Sequence, residues 1–214
     1  MATLVFDQEY RIARDTPSDI NEHIEVLKNL ADSVEHVTEM GTRTGVSTRA
    51  FLASDVTLRA YDLSIDDYVA KLFELAHKKG KDVKYIESNV LEIDIDETDL
   101  LFIDTWHCYD QLYVELTKHA PKVKKYIAFH DTQTYASKSE EFMGRVGSNG
   151  LLPAIMHYLA KRIDLEQAAK DLFKAISEGI ISANVNCEYP LKDAKRAHEA
   201  LESGETHGVS ILIP

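Results

Sequence analysis

Asp99-Leu100-Leu101-Phe102-Ile103-Asp104 is an almost wholly apolar run that closes on a carboxylate. A run of that character suits a strand buried on both faces, as in a parallel sheet covered by helices. The residues to either side repeat the theme. Upstream, His36–Met40 reads as a strand, Ser47–Leu52 as a helix and Thr57–Asp62 as a strand. Asp66–Lys79 then reads as a helix ended by Gly80, and Val83–Glu87 as a third strand. Downstream, Tyr109, Leu112, Tyr113 and Leu116 stripe a helix, and Tyr126–Phe129 is a fifth strand. This alternation implies a doubly wound α/β fold, with a mostly parallel sheet and right-handed crossovers. A further helix precedes it. Thr16 is placed to cap that helix, Pro17 fits its first position, and Ile20, Ile24, Leu27 and Leu30 follow at helical spacing.

The chain of 214 residues suits one medium domain, or one domain plus a short appendage. Its net charge of −12 argues against nucleic acid as a partner, because phosphate binding needs a basic face. Cys108 and Cys187 lie far apart, match no metal-ligand spacing and read as reduced thiols. The opening Met1–Asp7 turns polar too early for a signal peptide. No apolar run reaches the roughly 20 residues of a membrane span. A cytoplasmic protein without a membrane partner is expected.

Ligands of open α/β sheets bind beyond the carboxyl ends of the strands, so the residues that follow each strand carry the functional reading. After the first strand comes Glu39-Met40-Gly41-Thr42-Arg43-Thr44-Gly45, then a helix opening near Ser47. Gly41 and Gly45 permit a tight turn and a close backbone approach to a ligand. A dinucleotide fingerprint would need glycine where Arg43 and Val46 stand. Strand two ends on Asp62, and Ser88-Asn89-Val90 follows strand three, where the Asn89 amide offers a donor and an acceptor. Asp104-Thr105-Trp106-His107-Cys108-Tyr109 follows strand four, and His130-Asp131-Thr132 follows strand five. Asp104 and Asp131 end neighbouring strands and are expected to share a cleft, where paired carboxylates raise a pKa or recruit a cation.

In that order, over about residues 15–160, these motifs resemble the class I S-adenosylmethionine-dependent methyltransferases, in the catechol and macrocin O-methyltransferase-like branch. The resemblance implies a Rossmann-like methyltransferase domain over residues 1–161. It implies S-adenosyl-L-methionine held by Glu39, Gly41, Thr42, Gly45, Ser47, Asp62, Ser88, Asn89 and Asp104, with Asp62 on the ribose and Asn89 by the adenine. The implied reaction is O-methylation of a small-molecule hydroxyl. The sulfonium is already an activated electrophile, so the protein must align the acceptor and remove a proton. His107 is the first candidate base and His130 the second, beside Asp104. Trp106 and Tyr109 would line the acceptor pocket, although Tyr109 also suits the core. Relatives of this branch hold a divalent ion on the strand-four Asp and an Asp-Asn or Asp-Asp pair. Magnesium on Asp104 and Asp131 is therefore the implied metal, with Thr132 a poor ligand and His130 a donor that favours softer ions.

Residues 136–150 form a polar loop punctuated by Gly144, Gly147 and Gly150, a candidate lid. Leu151, Leu152, Ile155, Met156 and Leu159 mark another helix. The character then changes. Leu165, Ala168, Ala169, Leu172, Phe173 and Ile176 pattern an amphipathic helix ended by Gly179, followed by a strand over Ile180–Val185, a helix over Asp193–Glu202 and a strand over Val209–Ile213. Asp171-Leu172-Phe173-Lys174-Ala175-Ile176, Tyr189–Ala194, Ala197–Ser203 and Ile211–Pro214 resemble the C-terminus of quinone oxidoreductases of the medium-chain dehydrogenase/reductase group, over about residues 164–214. A natural gene fusion or an artefact of sequence assembly would account for the join. The tail, residues 162–214, is expected to pack on the sheet, complete it, or form a homodimer contact. Two alternatives to a methyltransferase follow: a non-catalytic S-adenosylmethionine-binding protein, and an NADPH-dependent protein related to quinone oxidoreductases.

Overall fold

The computed structural model describes residues 2–162, 170, 173–175, 177–178, 185–203 and 209–213. The chain divides into two compact units, residues 1–160 and 161–214.

The first unit holds five parallel strands in the order β3-β2-β1-β4-β5. They are β1 (His36–Met40), β2 (Thr57–Asp62), β3 (Val83–Glu87), β4 (Thr98–Ile103) and β5 (Val123–Phe129). The apolar run of β4 feeds two cores. Leu100 and Phe102 point to one face of the sheet, and Leu101 and Ile103 to the other, following the period-two alternation of a strand. On the first face lie α1 (Ala2–Asp15), α2 (Ile24–Ala31), α3 (Val46–Leu52) and α4 (Asp67–Lys78). On the second lie α5 (Tyr109–His119) and α6 (Leu151–Arg162). The doubly wound reading of the sequence is therefore correct. Strand order reverses between β1 and β4, and a crevice opens at that point in such sheets.

Local differences from the sequence reading have identifiable causes. Helix α1 was not anticipated, although Phe6, Tyr10 and Ala13 form its inward stripe and Phe6 is fully buried. The helix expected from Pro17 starts later, at Ile24, after a 3-10 turn at Asn21–His23. Thr16 caps neither the turn nor the helix; Ser18 and Asn21 bond reciprocally ahead of the turn, Ser18 Oγ accepting from Asn21 N at 3.0 Å and Asn21 Oδ1 from Ser18 N at 2.9 Å. Asp66, read as the first residue of its helix, is instead the cap of α4, accepting from Tyr68 N at 2.8 Å. The lid segment contains a hairpin, β6 (Glu141–Phe142) and β7 (Arg145–Val146). Its two turn residues, Met143 and Gly144, both have positive φ, as a type I′ turn demands.

In the second unit, β8 (Val185–Pro190) and β9 (Val209–Ile213) pair in parallel as a two-stranded sheet. The chain between them runs through a 3-10 turn at Leu191–Asp193 and α7 (Ala194–Glu202). Of the strand expected at Ile180–Val185, Val185 opens β8; residues 180–184, and most of the helix expected around Leu165–Ile176, lie outside the described residues. Among the described residues no helix is long and apolar enough to cross a membrane.

Candidate functional site

The turn after β1 sits at the strand-order reversal. Gly41 (φ +87°) comes so close to β4 that a Cβ there would lie 1.9 Å from the Asp104 carbonyl oxygen. Only glycine lets the two strand ends meet in this way. Asp62, at the end of β2, ties the turn down. Its Oδ2 accepts from Thr42 N at 2.8 Å, Arg43 N at 2.9 Å and Thr42 Oγ1 at 3.1 Å, and its Oδ1 accepts from Leu63 N at 2.7 Å. Oδ1 retains lone-pair capacity for one more donor.

Glu39 and Ser47 lie beneath the turn. Ser47 Oγ donates to Glu39 Oε1 at 2.6 Å, and Thr48 Oγ1 donates to Oε2 at 2.9 Å. Burial pushes the Glu39 carboxyl up to about 8, against the two hydroxyl donors that favour its ionised form. These two residues, expected at a ligand, clasp β1 to the first turn of α3. Asn89 is likewise engaged locally: Nδ2 donates to Glu92 Oε1 at 2.9 Å and Oδ1 accepts from Leu91 N at 3.0 Å. Ser88 Oγ is buried without a hydrogen-bond partner, an open donor beside the same strand end.

The segments after β4 and β5 bring Asp104, His107, His130 and Asp131 together. Asp104 Oδ1 lies 3.1 Å from His107 Nε2 and 3.2 Å from His130 Nδ1. Asp131 Oδ2 lies 3.7 Å and 3.4 Å from those same ring nitrogens. Both imidazoles are buried, and Asp131 adopts a positive φ of 53°, a conformation that Asp tolerates better than most residues. Burial alone would raise Asp104, yet hydrogen bonds and charge from both histidines hold it down, to about 2. Burial alone would lower both histidines, but Asp104 raises each of them, helped at His107 by Glu140 and at His130 by Asp131.

Further residues surround the cluster, and Glu140, Tyr135, Asp19 and Glu115 among them were not expected there. Glu140 Oε2 lies 2.9 Å from His107 Nδ1, and Tyr135 stacks on the His107 ring at 4.9 Å between centroids. The Asp19 carbonyl oxygen lies 3.2 Å from His130 Nε2. Glu115 supports the loop from below, accepting from Thr105 Oγ1 at 2.7 Å; burial pushes it up to about 7. Its place beside Leu112 and Leu116, on the inward face of α5, could have marked it. Trp106 donates through Nε1 to the Glu140 carbonyl at 3.1 Å and meets Phe142 of the hairpin. Tyr109 stacks on Tyr113 instead. A cavity of about 350 Å³ opens next to the cluster, its walls including Ile20, Leu27, Phe102 and Phe129, with His130 and Asp131 among its polar groups.

Comparison with known proteins gives two kinds of likeness. A family model described as zinc-binding dehydrogenase matches residues 101–212. The match begins within β4 and so runs from the first unit into the second. Quinone oxidoreductase 1 of Escherichia coli is 47% identical over 64 residues, covering 29% of this chain and 20% of that protein. The chain thus spans about a fifth of the length of the curated relatives it matches first. Among solved structures, a putative caffeoyl-CoA O-methyltransferase from Staphylococcus aureus aligns at 18% identity and a TM-score of 0.47, over 63% of this chain and 68% of that one. A 1,6-didemethyltoxoflavin-N1-methyltransferase from Burkholderia thailandensis aligns at 19% identity and a TM-score of 0.43, over 59% of each chain. Among the described residues, Asp104, His107 and His130 each offer one possible ligand atom, and the three atoms lie within 4.8 Å of one another. Because the family model covers just over half of the sequence, the chain belongs to the zinc-binding dehydrogenase family.

Proposed function

We propose that the first unit binds S-adenosyl-L-methionine at the Gly41–Gly45 turn and transfers its methyl group to a hydroxyl of a small molecule. The observation that carries this reading is the Asp62-tied turn at the strand-order reversal. It brings a glycine backbone, a carboxylate with a free lone pair and the open Ser88 hydroxyl to one sheet edge. A ribose hydroxyl donates to Asp62 Oδ1, and the adenine lies by Ser88 and Asn89. The cavity beside His130 and Asp131 is of a size for a small acceptor. The acceptor hydroxyl is oriented and loses its proton beside the Asp104–His107–His130 cluster at the edge of the cavity.

The family match favours a second reading, an NADPH-dependent oxidoreductase. Arg43 and Val46 stand against it, since they replace glycines of a dinucleotide fingerprint. Calorimetry on the whole chain with S-adenosylmethionine, S-adenosylhomocysteine and NADPH separates the two. Saturable binding of the sulfur ligands, with no heat from NADPH, is expected; the reverse pattern would replace the first reading with the second. Asp62→Ala is expected to weaken S-adenosylmethionine by about 1–3 kcal/mol through loss of a charge-assisted bond. Unchanged affinity in that variant would remove Asp62 from the site.

A further inference from the structure

We propose that Asp104, His107 and His130, with Asp131 alongside, bind a divalent transition-metal ion of the zinc, iron or nickel class in preference to magnesium. The separations between donor atoms support this. Ligands bonded at about 2.0–2.1 Å to one tetrahedral or octahedral ion lie about 2.9–3.4 Å from each other. Asp104 Oδ1 is 3.1 Å from His107 Nε2 and 3.2 Å from His130 Nδ1, and Asp131 Oδ2 is 3.4 Å from the latter. The three principal ligand atoms all fall within 4.8 Å of one another.

The outer nitrogens of the two rings supply independent support. His107 Nδ1 faces the Glu140 carboxylate at 2.9 Å, and His130 Nε2 faces the Asp19 carbonyl at 3.2 Å. Both partners can only accept, so each outer nitrogen carries a hydrogen. A neutral imidazole then has a bare lone pair on its inner nitrogen, and both lone pairs converge on carboxylate oxygens. Such a convergence needs either a second proton on each ring or a shared cation. Hydrogen bonds from the outer nitrogen to a carboxylate or backbone carbonyl are also the usual way a protein fixes the tautomer of a metal-bound histidine. Two imidazoles in the donor set move the preference from magnesium, which favours oxygen ligands, to the borderline ions.

The inference stands apart from the methyl-transfer reading, because its test reads the metal directly. Whole chain stripped with a chelator is titrated calorimetrically with zinc chloride and, separately, magnesium chloride. Binding of zinc at least about 100-fold tighter than magnesium is expected. His107→Ala and His130→Ala should each weaken zinc by more than the roughly 10–100-fold that loss of an outer-shell partner costs, and Glu140→Gln should fall within that range. Circular dichroism establishes that each variant is folded. Should both histidine variants unfold, cobalt substitution of the wild-type chain decides instead, since imidazole–carboxylate coordination gives a visible ligand-field band that zinc abolishes. Absence of zinc uptake, equal affinity for magnesium, unchanged zinc binding in the folded variants, or no cobalt band would each overturn the assignment. A chain that takes up zinc but ignores S-adenosylmethionine would overturn the methyltransferase reading alone.

Discussion

Glu39 keeps a proton because its buried surroundings resist the charge. Its folded-state pKa of about 8, against an ordinary 4.5, means the native chain keeps a proton that the unfolded chain releases earlier. The contribution to stability is therefore complete below about pH 4.5 and is lost as pH rises through about 8. Glu115 acts in the same direction up to about pH 7. The melting temperature is expected to fall between pH 5 and 8, and Glu39→Gln should flatten that fall; parallel wild-type and variant curves would refute the account. Only some of this scale was legible beforehand. Asp104, His107, His130 and Asp131 could be anticipated because each directly follows a recognisable strand. Glu140 could not: it stands in a polar loop among Ser139 and Glu141, with nothing in the sequence to mark it as the partner of His107. Glu39 was identified as a motif member, but its bonds to Ser47 and Thr48 depend on how tightly α3 closes on β1.

At the level of elements, the strands were the most readable parts: β4 is an apolar run buried on both faces, and it sets the alternation in which the more polar β1, β2 and β3 are recognised. β1, β2 and β3 have the limits expected for them. β5 extends further toward the N-terminus than expected, since it ends the sheet and its Lys124 and Lys125 are exposed, which hides its strand character in the sequence. Helix α1 was missed because its stripe is narrow and most of its surface is polar. Two predictions belong here. Gly41→Ala combines an unfavourable φ with a Cβ placed inside van der Waals reach of the β4 backbone. It should destabilise the chain by more than about 1–3 kcal/mol, the cost of such strain alone, as measured by urea unfolding. Met143 carries its positive φ at the hairpin turn without the tolerance of Asn or Gly. Met143→Asn should stabilise by up to about 1 kcal/mol, and a loss of stability would mean that the turn is held by something other than its own backbone preference.

The molecule as a whole consists of two compact units, residues 1–160 and 161–214. The first holds the five-strand parallel sheet, while the family match runs from β4 to β9. Both are compatible with β4, α5 and β5, because a strand–helix–strand crossover is common ground for many α/β families and does not by itself report chemistry. Function therefore has to be sought in the site. The contact between Gly41 and the Asp104 carbonyl has a consequence for that site: the Gly41–Gly45 turn and the histidine cluster share one peptide-to-peptide contact, with no side chain between them to absorb movement. Whatever occupies one side and shifts the contact alters the free energy of occupying the other, and thermodynamic linkage requires the two effects to be equal. Titrating the cofactor with and without metal, and the metal with and without cofactor, should give the same coupling factor in both directions. Gly41 would then be the hinge through which the two ligands sense each other.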